Sequence, residues 1–404
     1  MIGSMMRRAL IGDGSTLSLD FTTGVLDSRF TFTRSTTGTY IGSDGLVKTM
    51  AAAPTNDPTK ARFDHDPVTL APRGLLIEGS ASNIALYSEN INPNAAPWNV
   101  YWFVAGAGAS VTPVSQADPA GGTTASRCIL GISGSGRVYN GISTTAGVTY
   151  TLSFWARSVS GTTSLALWHF NSATGNSTPV TIGTSWQRYQ VTILGRTGGG
   201  FVEFGIANLT VNAATVDFWG LQVETGSGAS SYIPTTSSTA NRAADFAVLS
   251  DLSAIGFNTA RGSMVLRGYQ TKLSSGSYAA LAAFLDSADV DVFGIRNDVA
   301  GTVMFGRFAG TSTSAEATRT ITNNAAYAFG MSADPAITTG AITVSMNGSS
   351  TTGNKSGSAT AITTPTKFAI TRPGYGSHIN CGTIRSIKYW PTVKTAAELN
   401  SLTT

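Results

Sequence analysis

Hydrophobic and polar residues alternate with a period of two along most of the chain, which predicts short β-strands. Residues 149–157 show the pattern clearly, because successive side chains of an extended segment point to opposite sides. One side of this segment is apolar and consists of Tyr150, Leu152, Phe154 and Ala156. The other side carries Trp155 and Arg157 among polar residues. Residues 149–157 therefore predict a strand with one face in a core.

The same alternation recurs in many short segments separated by turn signals. Asp44-Gly45 and Asn347-Gly348 are typical of two-residue hairpin turns. Near the end of the chain, Thr395 and Glu398 have the spacing of a capping box, which predicts a short helix from about Ala396. We therefore predict an all-β protein with antiparallel β-sandwich domains and one short C-terminal helix.

The composition agrees with a β-rich protein of several domains. The chain has 404 residues, of which 12% are charged and 45 are glycine. This length suggests two or three domains. The net charge is +4, and no cluster of basic residues follows Arg7-Arg8, so a nucleic-acid partner is not expected. The two cysteines, Cys128 and Cys381, fall in different predicted domains and define neither a disulfide framework nor a zinc site.

The N-terminal residues lack the apolar core of a signal peptide, and no apolar run approaches the ~20 residues that span a bilayer. The sequence therefore predicts synthesis in a cytoplasm and no membrane insertion.

Three motifs mark the end of the second predicted domain. They are Trp219-Gly220-Leu221-Gln222-Val223-Glu224, Ser231-Tyr232-Ile233-Pro234-Thr235 and Asn241-Arg242-Ala243-Ala244-Asp245. Together they resemble the end of a carbohydrate-binding-module-like jelly roll found in many bacteriophage virion proteins. Residues 62–78 and 86–89 resemble the N-terminal region of the same proteins. The resemblance implies a virion surface protein of the fibre, spike or decoration type, which docks onto other virion proteins or trimerises through its N-terminal region.

Residues 381–391 and 395–399 resemble the end of a concanavalin-A-like or laminin-G-like lectin domain. We therefore predict a docking and oligomerisation region at 1–90, a carbohydrate-binding-module-like jelly roll at 91–240 and a lectin-like sandwich at 241–404.

Six of the seven tryptophans lie in residues 91–240. A flat aromatic ring can pack against the C–H face of a sugar while polar side chains hold its hydroxyl groups. The predicted glycan-binding residues are Trp155, Arg157, Trp168 and Glu203. The competing interpretation is that these tryptophans pack in the core of the sandwich. Exposure of the Trp155 and Trp168 rings would distinguish the two.

No cofactor is required by this chemistry, although the resemblance implies a structural calcium ion, for which Asp217 and Glu224 are the predicted ligands. Residues 64–66, Asp-His-Asp, do not predict a metal site, because His65 points away from the side that the two aspartates share.

Catalysis is not predicted. Asp289 and Asp291 share one side of a segment, but the Glu-x-Asp-x-x-Glu pattern of the glycosidases in this fold is absent around them. No nucleophile elbow, phosphate-binding glycine loop or catalytic triad is present in the sequence.

The interpretation is a virion protein that projects from the particle surface and binds host cell-surface polysaccharide without catalysis. Because a single sugar site binds weakly, we expect a homotrimer, which gains avidity by presenting several sites on one particle. The alternatives are a purely structural decoration or fibre protein of head, collar or tail, and a polysaccharide-degrading enzyme.

Overall fold

The structure, a computed structural model, describes residues 12–97, 100–131, 136–170, 177–210, 212–272, 279–297, 303–310, 313–322, 324–358, 360–371 and 381–404. It divides into two compact units. Unit 1 comprises Met1–Thr37, Met50–Ser80 and Ala243–Thr404, and unit 2 comprises Gly38–Thr49 and Ala81–Arg242. This division differs from the three predicted consecutive segments, because residues 1–90 contribute strands to both units.

Nearly all regular structure in the described residues is extended. The strands, numbered along the chain, are β1 (Leu17–Asp20), β2 (Phe30–Thr33), β3 (Gly38–Ile41), β4 (Val47–Met50), β5 (Arg62–His65), β6 (Pro72–Ile77), β7 (Ala81–Asn83), β8 (Trp102–Ala105), β9 (Ser110–Gln116), β10 (Ala125–Leu130), β11 (Gly136–Thr144), β12 (Thr149–Ser158), β13 (Thr163–Phe170), β14 (Ser177–Ile182), β15 (Gln187–Leu194), β16 (Gly200–Asn208), β17 (Ala214–Thr225), β18 (Ala240–Arg242), β19 (Phe246–Leu249), β20 (Gly262–Lys272), β21 (Ala279–Leu285), β22 (Asp291–Asn297), β23 (Val303–Gly310), β24 (Thr313–Thr320), β25 (Ala325–Ala333), β26 (Ile342–Met346), β27 (Ser349–Gly353), β28 (Lys355–Ser356), β29 (Lys367–Ile370) and β30 (Cys381–Trp390). The single α-helix of the described residues is α1 (Ala396–Leu402), and single 3-10 turns occur at Phe21–Thr23 and Pro58–Lys60.

Helix α1 confirms the predicted short C-terminal helix. The Thr395 hydroxyl accepts a hydrogen bond from the backbone N–H of Glu398, and the Glu398 carboxylate accepts one from the backbone N–H of Thr395. This reciprocal capping satisfies two donors that a helix start would otherwise leave unpaired. Leu399 is buried in a small cluster with Val265 and Trp390. No helix in the described residues is long and apolar enough to cross a membrane. The all-β prediction is confirmed.

Unit 1 contains two eight-stranded sheets with a shared apolar core. One sheet has the order β27-β26-β25-β20-β30-β6-β5, with β1 also paired to β30. The other has the order β2-β19-β29-β21-β22-β23-β24-β28. Leu266 and Phe329 of the first sheet and Phe284 and Phe368 of the second are fully buried in the core. Strands from the two ends of the chain thus complete the same sheet, since Leu17 lies opposite Tyr389.

Several residues of the motifs that resemble virion proteins form a buried ionic network in unit 1. Asp245 accepts hydrogen bonds from Arg34 Nη1 at 3.0 Å and Arg62 Nη2 at 2.6 Å, and Arg62 also pairs with Glu78 at 2.8 Å. All four side chains are at most 1% exposed. Burial disfavours the Arg62 cation, but Asp245 and Glu78 outweigh it and raise the pKa of Arg62. Arg34 and these motif residues therefore hold together the β2, β5, β6 and β19 segments.

Unit 2 is a sandwich of two five-stranded antiparallel sheets. The β12 sheet has the order β15-β12-β17-β10-β9, and the β13 sheet has the order β14-β13-β16-β11-β8. As predicted for residues 149–157, the apolar side of β12 faces the core, where Leu152 and Phe154 pack with Phe204 and Phe218. This core determines which side chains are left for the outer faces of the two sheets.

Gly220 forms a β-bulge in β17. Between the pairs Trp155–Trp219 and Ser153–Gln222, β17 contains one residue more than β12. Gly220 has φ +67°, a conformation that glycine adopts without strain. The extra residue shifts the alternation, so Phe218 and Leu221 both face the core. The Trp-Gly pair in the sequence motif is thereby explained.

A second layer lies over the outer face of the β12 sheet. The β3–β4 hairpin contributes Val47, and the segment after β17 contributes Tyr232, to a cluster with Trp155, Trp219 and Ala125. The backbone N–H of Val47 donates to Pro119 O at 2.8 Å. This face of the β12 sheet is therefore a second, smaller core.

Candidate functional site

A row of aromatic residues crosses the outer face of the β13 sheet. The strand register places Gly205 of β16 between Trp168 of β13 and Tyr139 of β11, and Phe103 of β8 lies opposite Tyr139. A Cβ atom at Gly205 would lie 2.0 Å from the carbonyl oxygen of Val138, so only glycine fits there. Gly205 thus leaves a gap in the row between Trp168 on one side and Tyr139 with Phe103 on the other.

The aromatic rings are arranged as two stacks. Phe103 and Tyr139 have ring centroids 5.3 Å apart and an interplanar angle of 23°. Trp168 and Phe170, two positions apart on β13, have centroids 5.6 Å apart and an angle of 6°. All four side chains are half-buried. A β-strand places residues i and i+2 on the same face, which explains why Trp168 and Phe170 meet.

An ion pair joins the two stacks. The Arg137 Cζ atom lies 5.0 Å from the Trp168 ring centroid and 5.3 Å from that of Tyr139. Arg137 Nε donates to Glu203 Oε2 at 3.1 Å, and Trp168 Nε1 donates to the same oxygen at 2.7 Å. The Arg137 and Glu203 side chains are 23% and 15% exposed. The side chains of Phe103, Tyr139, Trp168, Phe170, Arg137 and Glu203 are hereafter called the aromatic strip.

The surroundings of the Tyr139 hydroxyl in the strip raise its pKa. Burial raises the pKa of Tyr139, and the neighbouring Glu203 carboxylate raises it further, while Arg137 acts in the opposite direction. The strip therefore presents a neutral phenol, a guanidinium and a carboxylate beside aromatic carbon. This combination can pack against the C–H groups of a sugar and exchange hydrogen bonds with its hydroxyl groups.

The structure brings together two of the four predicted glycan-binding residues, Trp168 and Glu203. Trp155 and Arg157 lie on the other sheet. Trp155 is only 4% exposed, and its ring centroid lies 5.3 Å from those of both Trp219 and Tyr232. With its ring packed in the second core, Trp155 offers no open face to a sugar, which is a correction of the sequence interpretation for this residue.

Arg157 is part of a different charge cluster. Its Nε donates to Asp217 Oδ2 at 2.9 Å, while Arg127 Nε donates to Asp217 Oδ1 at 2.9 Å. Arg157 Cζ also lies 4.8 Å from the Trp186 ring centroid. The guanidinium of Arg157 therefore serves to compensate the buried Asp217 carboxylate.

The two predicted calcium ligands are both engaged by protein groups. Each oxygen of Asp217, which is 1% exposed, accepts from an arginine. Glu224 Oε1 accepts from Gln222 Nε2 and from the backbone N–H of Ser230, each at 2.7 Å. Within the described ranges no group of three or more His, Cys, Asp or Glu residues is arranged to hold a metal ion. The environment of Asp217, with two guanidinium groups against one carboxylate, does not fit a cation.

The sequence interpretation missed Arg137, Tyr139, Phe103 and Phe170. Two signals were available, because Arg137 and Tyr139 are two positions apart on one strand and Trp168 and Phe170 on another. The cross-strand register that brings these pairs together cannot be obtained from the separate segments. Trp98, one of the six tryptophans in residues 91–240, lies outside the described residues.

No protein-family model matches the chain, and no curated protein sequence matches it. Solved structures similar to parts of the chain include the Ruminococcus gnavus IT-sialidase CBM40 bound to alpha2,3 sialyllactose, with 15% identity, coverage of 36% of this chain and 83% of that chain, and a TM-score of 0.30. The botulinum neurotoxin type G receptor binding domain has 8% identity, coverage of 39% and 38%, and a TM-score of 0.29. The binding domain of botulinum neurotoxin DC in complex with SialylT has 9% identity, coverage of 39% of each chain and a TM-score of 0.31. At these TM-scores the similarities support no conclusion about the function of this chain.

Proposed function

We propose that this protein binds carbohydrate without chemical turnover, and that the aromatic strip of unit 2 is its binding site. The observation that supports this is the pairing of half-buried aromatic stacks with Arg137 and Glu203 on one sheet face. Aromatic surface alone would fit many partners. The charged pair adds a donor and an acceptor at fixed positions, which is what recognition of sugar hydroxyl groups needs.

The proposed contacts follow from the geometry of the strip. The sugar ring packs on the Trp168–Phe170 stack, against the part of these half-buried side chains that stays exposed. Glu203 accepts a hydrogen bond from a sugar hydroxyl, and Arg137 donates one. Because Arg137 and Trp168 already hold Glu203 in place, little side-chain freedom is lost on binding.

The proposal extends to where the protein acts. The sequence motifs at 62–78, 219–224, 231–235 and 241–245 support a place on a bacteriophage virion surface, with host cell-surface polysaccharide as the ligand and residues 1–90 engaging other virion proteins. Single sugar sites bind weakly, so a homotrimer would gain avidity by binding a polysaccharide through several sites at once.

A glycan array on the full-length protein, probed beside its Trp168→Ala variant, tests the binding site. We expect binding to host-type polysaccharides that weakens by about tenfold or more in the variant, the equivalent of about 1.4 kcal/mol. Trp186→Ala is the matched control, because Trp186 is a half-buried tryptophan that directly precedes β15 and packs against the second core. It is expected to bind like the wild type.

Other outcomes would redirect the proposal. Equal weakening by Trp168→Ala and Trp186→Ala would place the site elsewhere. No binding to any glycan would leave a purely structural virion protein, and release of reducing ends from a bound polysaccharide would show a degrading enzyme.

A further inference from the structure

Unit 1 contains a cleft of about 540 Å³ that is remote in sequence from the aromatic strip. It lies between the end of β24, in one sheet, and the turn that joins β26 to β27, in the other. We call it the Arg319 cleft, and its lining consists of Thr318, Arg319, Thr320, Met346, Asn347 and Ser349. Its volume falls within the range of about 300–1,000 Å³ that is typical of small-ligand sites.

The Arg319 side chain is directed across the cleft and held there. Arg319 lies on the same side of β24 as Ala317, which is buried in the core of unit 1. Its Nε donates to Ser349 O at 3.0 Å, and its Nη2 lies 3.4 Å from Ser349 Oγ. Among the described residues, Nη1 has no hydrogen-bond partner. The guanidinium is thus an oriented cation with donors left for a ligand.

Asn347 presents a second oriented donor. It occupies a hairpin turn with φ 48°, followed by Gly348 with φ 80°. Its backbone N–H donates to Ala328 O at 3.0 Å, and its Oδ1 accepts from Ala328 N at 2.9 Å. These bonds fix the side chain, and Nδ2 has no partner within the part of the chain that the structure describes.

The chemistry of the lining selects for an anion on a polar ligand. Arg319 and Asn347 supply donors, the Ser349 hydroxyl can donate or accept, and none of the described lining residues is acidic. Met346 adds an apolar surface for C–H groups. We propose that the Arg319 cleft binds a saccharide unit that carries a carboxylate or sulfate group, with Arg319 pairing with the anion. This site is separate from the aromatic strip and does not depend on it.

Calorimetric titration of the full-length protein tests the proposal. The probes are a uronic-acid disaccharide, a sulfated disaccharide, the matching neutral disaccharide and inorganic sulfate. We expect at least one acidic disaccharide to bind at least about tenfold more tightly than the neutral one. The reason is that hydrogen bonds between the Arg319 guanidinium and an anionic group are stronger than those to a neutral group. The two acidic disaccharides distinguish a carboxylate ligand from a sulfate ligand.

Two variants locate the binding. Arg319→Met removes the cation. Asn347→Asp keeps the Oδ1 acceptor and places a negative charge at the Nδ2 position, and aspartate tolerates the turn conformation. Each is expected to weaken acidic-disaccharide binding by about tenfold or more. The matched control is Arg261→Met, since Arg261 is a 49% exposed cation of the same unit outside the cleft lining. Thermal melts confirm that each variant is folded.

Equal affinity for acidic and neutral disaccharides, absence of binding, or unchanged binding by Arg319→Met would overturn the proposal. Inorganic sulfate that binds as tightly as the sulfated disaccharide would show an anion site without saccharide recognition. Trp168→Ala is expected to keep this acidic-sugar binding, so failure of the aromatic strip and failure of the Arg319 cleft give different results.

Discussion

Trp155 and Trp168 stand on the outer faces of the two sheets of one sandwich, and the sequence predicts both as glycan-binding residues. Trp155 is covered by the β3–β4 hairpin and by the segment that contains Tyr232, so it belongs to a second core. Trp168 stays half-buried beside Arg137 and Glu203. The difference lies in what the rest of the chain places over each sheet. An aromatic residue on the outer face of a sheet is therefore accessible to a ligand only where no other part of the chain covers it.

The largest expected effect is a difference in stability between the alanine variants of the two tryptophans. Trp155→Ala should lower the free energy of unfolding by about 3–5 kcal/mol, because it opens a cavity in a packed cluster. Trp168→Ala should lower it by only about 1–2 kcal/mol, since part of that side chain already contacts water. Urea denaturation of the two variants measures both. Similar losses for the two would show that the outer faces do not differ as described.

A smaller effect compares the two carboxylates that pair with arginine. Asp217→Asn should lower the free energy of unfolding by about 1–3 kcal/mol, because it removes the charge that compensates two guanidinium groups. These guanidinium groups are only partly exposed to water. Glu203→Gln should lower the free energy of unfolding by less, because Glu203 is more exposed than Asp217. The same urea experiment measures both. If instead calcium raised the melting temperature of the wild type but not of Asp217→Asn, Asp217 would be a metal ligand after all.

The smallest effect concerns the ionisation of Tyr139. Glu203→Gln removes a negative charge that disfavours the phenolate, so the pKa of Tyr139 should fall. Absorbance titration in the alkaline range, taken as the difference from the same protein with Tyr139→Phe, measures it. The control is Tyr189, whose pKa burial also raises and which should not change. An unchanged pKa of Tyr139 would mean that Glu203 does not face it.

Local pattern predicted much of the fold. The period of two identified the core side of β12, and the capping box located α1, because both depend only on residues a few positions apart. The bulge at Gly220 was not predicted, although its Trp-Gly motif was noticed. A single extra residue inverts the faces of everything after it, and the alternation of residues 217–224 alone does not show this shift.

The candidate site was predicted only in part, for a related reason. The sequence names Trp168 and Glu203 as candidate glycan-binding residues, and the strand register brings them together. Trp155 is a candidate because it lies among polar residues of its strand, but it is covered by Val47, more than a hundred residues earlier in the chain. Likewise, the pairing of Leu17 with Tyr389 joins distant parts of the sequence, and no local signal indicates it.

The insertion of unit 2 within the chain of unit 1 has a consequence for biosynthesis. Every residue of unit 2 has left the ribosome once Arg242 has, whereas β1 and β6 of unit 1 still lack their partner β30. The early strands of unit 1 therefore keep unpaired edges during the synthesis of most of the chain. Unit 2 can fold during that interval, so a nascent chain would carry the folded aromatic strip before the C-terminal part of unit 1 has been synthesised.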